Sequence, residues 1–136
     1  MGFALPAAIA AQIINPMRKV VAMCGDGGFL MNIQEIETAV RLCLPIIVIV
    51  WVDNDYGMIS LKQKYEYGKT AFTKFSNPDF VRLAESFGAI GYKIEDTRDL
   101  SKILEEAKKS TRIPVIISAE VDYLRNRVLL DDTFVE

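Results

Sequence analysis

Two stretches decide the fold: Lys19-Val-Val-Ala-Met-Cys-Gly-Asp-Gly-Gly28 and Ile46-Ile-Val-Ile-Val-Trp-Val-Asp-Asn-Asp55. Each is an apolar run that ends in a polar turn carrying aspartate. Apolar runs this short, rich in β-branched residues, suit strands of a sheet covered on both faces. The spacing predicts strands over 19–24 and 46–52. In a parallel sheet, both then deliver a carboxylate to the same edge, where open α/β folds bind ligands. Two carboxylates beside glycine amides, one from Asp26 and one from the Asp53-Asn54-Asp55 cluster, suit a hard cation that can bridge to a phosphate or diphosphate.

The rest of the chain alternates helices and strands. Residues 3–14 predict a buried helix in which small alanines permit close approach to the sheet. Ile33, Ile36, Val40 and Cys43 recur at helical spacing and predict a helix over 31–43. A helix over 57–67 and a surface loop over 69–76 follow. Asn77-Pro78 fits a helix start, with Asn as N-cap and Pro in the first turn. Phe80, Leu83, Ala84 and Phe87 then line one face until Gly88. A strand over 90–94, a helix over 97–109 and a strand over 114–120 complete an α/β pattern, a parallel sheet flanked by helices with right-handed crossovers. The whole chain, 1–136, reads as one domain.

Composition excludes several functions. With 16 Lys plus Arg against 18 Asp plus Glu, the net charge of −2 points to neither nucleic acid nor an anionic membrane. The apolar stretch 2–14 lacks a preceding charge, is interrupted by Pro6 and is too short to span a bilayer. Pro6 also defeats a myristoylation motif. The absence of histidine excludes a His-based triad within this chain, and the cysteines lack zinc-like spacing. Cys24 on the first strand and Cys43 on the following helix read as buried, reduced thiols, which implies a cytoplasmic location.

Taken separately, the motifs have plain explanations. Gly25–Gly28 alone is a Gly-rich strand-to-helix turn, and Asp53-Asn54-Asp55 alone is turn chemistry. Their combination is more specific. Ile9-Ala10, Pro16 and Val21-Ala-Met-Cys-Gly-Asp-Gly-Gly28, with Asp53 placed 27 residues after Asp26, resemble the thiamine diphosphate signature of pyruvate-processing enzymes. The resemblance runs from Met1 to about Leu130. Met1-Gly-Phe-Ala-Leu-Pro-Ala-Ala8, Trp51-Val-Asp-Asn-Asp-Tyr-Gly-Met58 and Ala84-Glu-Ser-Phe-Gly-Ala89 look most like the catabolic acetolactate synthases, with Val121-Asp-Tyr123 a weaker match.

The resemblance implies a thiamine diphosphate-binding fold. It implies Mg²⁺ held by Asp26, by Asp53 and by the backbone carbonyl of Asp55. The diphosphate would lie against Gly25, Gly27 and Gly28, assisted by the dipole of a helix starting near Met31. Met1 aligns with the apolar residue that bends the cofactor. Tyr56, Gly57 and Met58 would line the same region. Aspartate rather than asparagine at position 53 resembles the catabolic branch.

The implied activity is decarboxylation of pyruvate and condensation of the hydroxyethyl unit with a second pyruvate. The family's catalytic glutamate comes from a separate pyrimidine-binding module, usually on a neighbouring subunit of a homo-oligomer. No glutamate here sits in a matching context, so no catalytic residue is assigned. Four strands against six in the intact family module imply a missing N-terminal portion and an isolated chain without activity. Two other readings stay open: one subunit of a split 2-oxoacid decarboxylase, and a non-catalytic remnant or interaction module.

Overall fold

A computed structural model describes residues 1–123, and the tail of the family resemblance, 124 to Leu130, lies outside them. Four strands, β1 (Val21–Gly25), β2 (Ile47–Val52), β3 (Ile90–Ile94) and β4 (Val115–Glu120), form one sheet in the order β1-β2-β4-β3. Every pairing is parallel, with Gly25 opposite Trp51 and Val48 opposite Ile116. The parallel α/β expectation therefore holds.

Alternation along the strands divides the core into two layers. Ala22, Val48, Val50 and Ile116 pack on one face with Leu5, Ala8 and Ile9 of α1 (Ala4–Ile14), Phe29 of α2 (Asp26–Leu30) and Ile36 and Ala39 of α3 (Glu35–Arg41). Phe80 and Ala84 of α5 (Phe80–Ser86) complete that layer, and the Phe29 and Phe80 rings meet edge-on at 5.7 Å. Ile47, Ile49, Val115 and Ile117 face the other way, onto Ala107 of α6 (Leu100–Lys109), which follows a single 3₁₀ turn at Thr97–Asp99. At the edge of that second face, Val21 and Met23 of β1 are exposed. The helix α4 (Gly57–Tyr67) contributes no buried residue and stands off the core.

Three expectations are corrected. The helix expected over 31–43 is two pieces. Helical turns begin at Asp26, directly after β1, and pass through residues 31–34 by bonds such as Asn32 N–H to Phe29 O and Glu35 N–H to Asn32 O before α3 resumes. These three-residue bonds tighten the helix and let it change direction, so no helix dipole starts at Met31. Secondly, Cys43 is neither helical nor buried. It adopts φ 53° past the end of α3, where its N–H bonds Val40 O and the Leu44 N–H bonds Ala39 O. This is a Schellman closure, which the chain needs to turn back into β2. Cys24 is a free, half-buried thiol.

Thirdly, Asn77 does not cap α5. Asp79 does, accepting from the Val81 and Arg82 N–H groups. Pro78 precedes the cap instead of opening the first turn, and Asn77 is released to turn elsewhere. Gly88 ends the element as expected, at φ 82°.

Candidate functional site

The parallel register brings the carboxyl ends of β1 and β2 to one edge, so Asp26 and Asp53 emerge side by side from neighbouring strands. Asp26 is almost wholly buried, at 1% exposure, and its carboxylate is satisfied by N–H donors. Oδ1 accepts from Gly27 N–H at 2.7 Å. Oδ2 accepts from Asp53 N–H at 3.2 Å, Asn54 N–H at 2.9 Å and Asn77 Nδ2 at 2.6 Å. Burying a carboxylate costs free energy that hydrogen bonds of this kind offset.

Asp53 is partly exposed, and its Oδ1 accepts from Asp55 N–H at 3.3 Å. Burial pushes the Asp53 carboxyl above the ordinary aspartate range; the Asp55 N–H opposes this, and the neighbouring Asp26 and Asp55 carboxylates add to the upward push. Asn54 takes the left-handed conformation at φ 57°, and its N–H is the one that donates to Asp26 Oδ2. The acidic segment is then stitched to the loop ahead of α5. Tyr56 N–H bonds Thr73 O, Phe75 N–H bonds Asn54 O, and Asp55 pairs antiparallel with Lys74.

Each expected site residue has a defined place. A Cβ on Gly27 would lie 2.6 Å from Cε1 of Tyr56, whose ring packs on Phe75 at 4.8 Å. Glycine at 27 is thus required by the Tyr56 ring. Gly25 has open space around it, and the nearest neighbour of a Gly28 Cβ would be the Gly2 backbone nitrogen at 3.9 Å, which sets the Met1 end of the chain beside the glycine turn. Gly57 abuts Asp53, with 3.0 Å between an added Cβ and Oδ2. Met1 and Met58 are both exposed. Met58 lines a hollow of about 410 Å³ along α4 with Ile59, Lys62, Gln63 and Glu66.

The donor set fits a hard cation in two respects. Two like-charged carboxylates are held together, and the Asp55 Oδ1 atom is a buried acceptor without a donor. No cluster of three or more His, Cys, Asp or Glu side chains suited to a metal occurs among the described residues. Cation binding would therefore draw on backbone oxygen as well as on Asp26 and Asp53.

Residues 1–119 match the family described as thiamine pyrophosphate enzyme, C-terminal TPP binding domain. The chain belongs to that family. It is 45% identical over 132 residues to an acetolactate synthase of Bacillus subtilis, covering 97% of this chain and 23% of that protein. A catabolic acetolactate synthase of Raoultella terrigena is 42% identical over 130 residues, covering 96% of this chain and 23% of its own length. Among solved structures, the thiamine diphosphate-dependent 4-hydroxybenzoylformate decarboxylase of Rhodococcus jostii superposes with a TM-score of 0.83 at 28% identity, covering 90% of this chain and 23% of that one. The chain thus spans about a quarter of the length of these relatives. As a thiamine pyrophosphate-binding domain, it has its acidic turn and glycine turn at the edge where α/β sheets receive ligands.

Sequence reasoning missed Asn77, Thr73 and Phe75 as parts of this site. Their only signal was a loop of ordinary composition, and nothing in it specified that the loop folds back along Asn54–Tyr56.

Proposed function

We propose that this chain is the cofactor-binding part, over residues 1–136, of a catabolic acetolactate synthase that decarboxylates pyruvate and joins the resulting two-carbon unit to a second pyruvate. The observation that carries it is the buried Asp26 carboxylate, held by amides of the Asp53-Asn54 turn 27 and 28 residues away. The two acetolactate synthases, at 45% and 42% identity, support this activity above that of the decarboxylase at 28%.

In this reading Asp26, Asp53 and the Asp55 carbonyl would hold Mg²⁺, which would offset the charge that the two carboxylates present to a diphosphate. The amides at Gly25 and Gly28 are reachable by phosphate oxygens because no side chain stands on those residues, while the Gly27 N–H donates to Asp26 Oδ1 and holds that carboxylate at the turn. Tyr56 closes over Gly27, and Gly57 allows the backbone to pass Asp53 without a clash. Met1 and Met58 supply apolar surface to the organic part of the cofactor. Thiamine diphosphate, when bound, supplies the carbanion-stabilising chemistry of 2-oxoacid decarboxylation, while the protein binds and orients it.

The proton-transferring glutamate belongs to a pyrimidine-binding module of a larger, cytoplasmic homo-oligomer. The 136 residues alone turn over no pyruvate, and acetolactate formed by the purified chain would overturn that. Titration of thiamine diphosphate with and without Mg²⁺, with Asp26→Ala as control, tests the site itself. Binding indifferent to both metal and substitution would remove the metal bridge.

A further inference from the structure

The Asp26 carboxylate is used unevenly. Oδ2 accepts three N–H groups, from Asp53, Asn54 and Asn77, whereas Oδ1 accepts one, from Gly27. A carboxylate offers about four lone-pair sites, roughly two on each oxygen. Oδ2 is therefore saturated, and the remaining capacity lies on Oδ1. The shortest of the contacts that saturate Oδ2 comes from Asn77 at 2.6 Å, reaching across 51 residues of sequence.

The orientation of the Asn77 amide follows from its surroundings. Its Nδ2 group meets two acceptors, Asp26 Oδ2 and, at 2.9 Å, Asn54 Oδ1. The reverse orientation would set an oxygen against a carboxylate and an amide oxygen, so the NH₂ group must face them. Its own Oδ1 is left buried without a donor. A buried acceptor in that state costs free energy. The backbone pairing of Thr73 and Phe75 with Tyr56 and Asn54 fixes where Asn77 can reach, and Asp79 relieves it of capping α5.

We propose that Asn77 is a positioning residue. By binding Asp26 Oδ2 and Asn54 Oδ1 together, it orients the Asp26 carboxylate so that Oδ1 is the oxygen presented to a bound divalent cation. This rests on the Mg²⁺ reading above. Partners that orient a metal ligand in this way are worth about 10- to 100-fold in metal affinity.

The test is titration of the full chain with Mn²⁺ as the probe, following the free-ion electron paramagnetic resonance signal, with the thermal midpoint recorded alongside. Asn77→Ala removes the amide, and Asn77→Leu removes its hydrogen bonds while keeping its bulk, so one variant survives if the other packs badly. Asp79→Ala weakens the same loop through the α5 cap without touching Asp26. Both Asn77 variants are expected to bind Mn²⁺ at least about 10-fold more weakly, while Asp79→Ala lowers the midpoint and leaves Mn²⁺ affinity unchanged. Wild-type affinity in the Asn77 variants, or an equal loss in Asp79→Ala, overturns the proposal and leaves the metal reading standing. A wild-type chain that takes up Mn²⁺ no better than Asp26→Ala sinks the metal reading and this inference with it.

Discussion

The Tyr56 ring lies so close over Gly27 that a methyl group added there would stand 2.6 Å from Cε1 and 2.9 Å from Cδ1. The same added atom would meet the Phe75 ring at 3.2 Å. Gly27→Ala must therefore displace two packed aromatic rings or shift the turn that carries Asp26. Overpacking of this kind costs roughly 1–3 kcal/mol. Urea denaturation of Gly27→Ala, Tyr56→Ala and the double variant measures it. The double variant is expected to be more stable than the sum of the single losses implies, because the clash is shared. Strict additivity would show that the Tyr56 ring is not what restricts position 27.

Asp53 predicts a pH dependence with a definite sign. Burial and the nearby Asp26 and Asp55 carboxylates raise its folded pKa above the ordinary aspartate value. Between the unfolded and the raised folded value, the native state binds more protons than the unfolded state, so stability falls as pH rises through that window. Above it, ionised Asp53 destabilises the metal-free fold. Asp53→Asn is expected to raise the thermal midpoint in chelator at neutral pH, with the gain disappearing as pH falls below the ordinary aspartate value. Its Oδ1 can still accept the Asp55 N–H, so the local turn is kept. Addition of Mg²⁺ should stabilise the wild type more than the variant. An advantage for Asn that is constant from acid to neutral pH would refute the electrostatic account.

The two thiols should be kinetically distinct. Burial, with a smaller push from the Asp26 carboxylate, raises the Cys24 thiol to about 11, and its Sγ lies 3.9 Å from Ile49 O. Cys43 is exposed on the turn after α3. Thiolate is the reactive form, so labelling with a disulfide reagent near neutral pH should show one fast and one slow thiol. The slow rate should climb about tenfold per pH unit until the Cys24 thiol titrates. Cys43→Ser is expected to abolish the fast phase and leave the slow one. Two fast phases would mean that Cys24 is more open than its place in β1 indicates.

The parallel sheet and the two aspartates were legible because each depends on local pattern. β-branched runs made the strands, and each run ends directly before its acidic turn, which sets both acids at one edge of a parallel sheet. Asn77 was not legible, because Asn and Asp both cap helices well and two of them flank Pro78. Asn77-Pro78 matched the rule for a cap followed by proline, but tertiary demand was stronger. A buried carboxylate 51 residues earlier required another donor, and Asp79 was free to cap. The break after Leu30 was hidden for a related reason. Ile33, Ile36 and Val40 keep helical spacing, yet only Ile36 is fully buried, and the three-residue turns between Phe29 and Glu37 leave no trace in apolar pattern.

The turns after α3 and α5 make a paired comparison. Each ends with the same two bonds: Cys43 N–H to Val40 O with Leu44 N–H to Ala39 O, and Gly88 N–H to Glu85 O with Ala89 N–H to Ala84 O. Gly88 holds the left-handed position at φ 82° without steric cost, while Cys43 holds it at φ 53° with a Cβ present. For an ordinary residue that conformation costs roughly 1–2 kcal/mol. Glycine would relieve it, although the greater freedom of its unfolded chain takes back part of the gain. Cys43→Gly is therefore expected to stabilise the fold by about 0.5–1 kcal/mol in urea denaturation. The exposed thiol accepts a weak hydrogen bond from Arg112 at 3.6 Å, which is a small loss against the gain. Cys43→Val, with a β-branched side chain at the same φ, should destabilise it. If Gly and Val shifted stability in the same direction, backbone strain would not be what governs this turn.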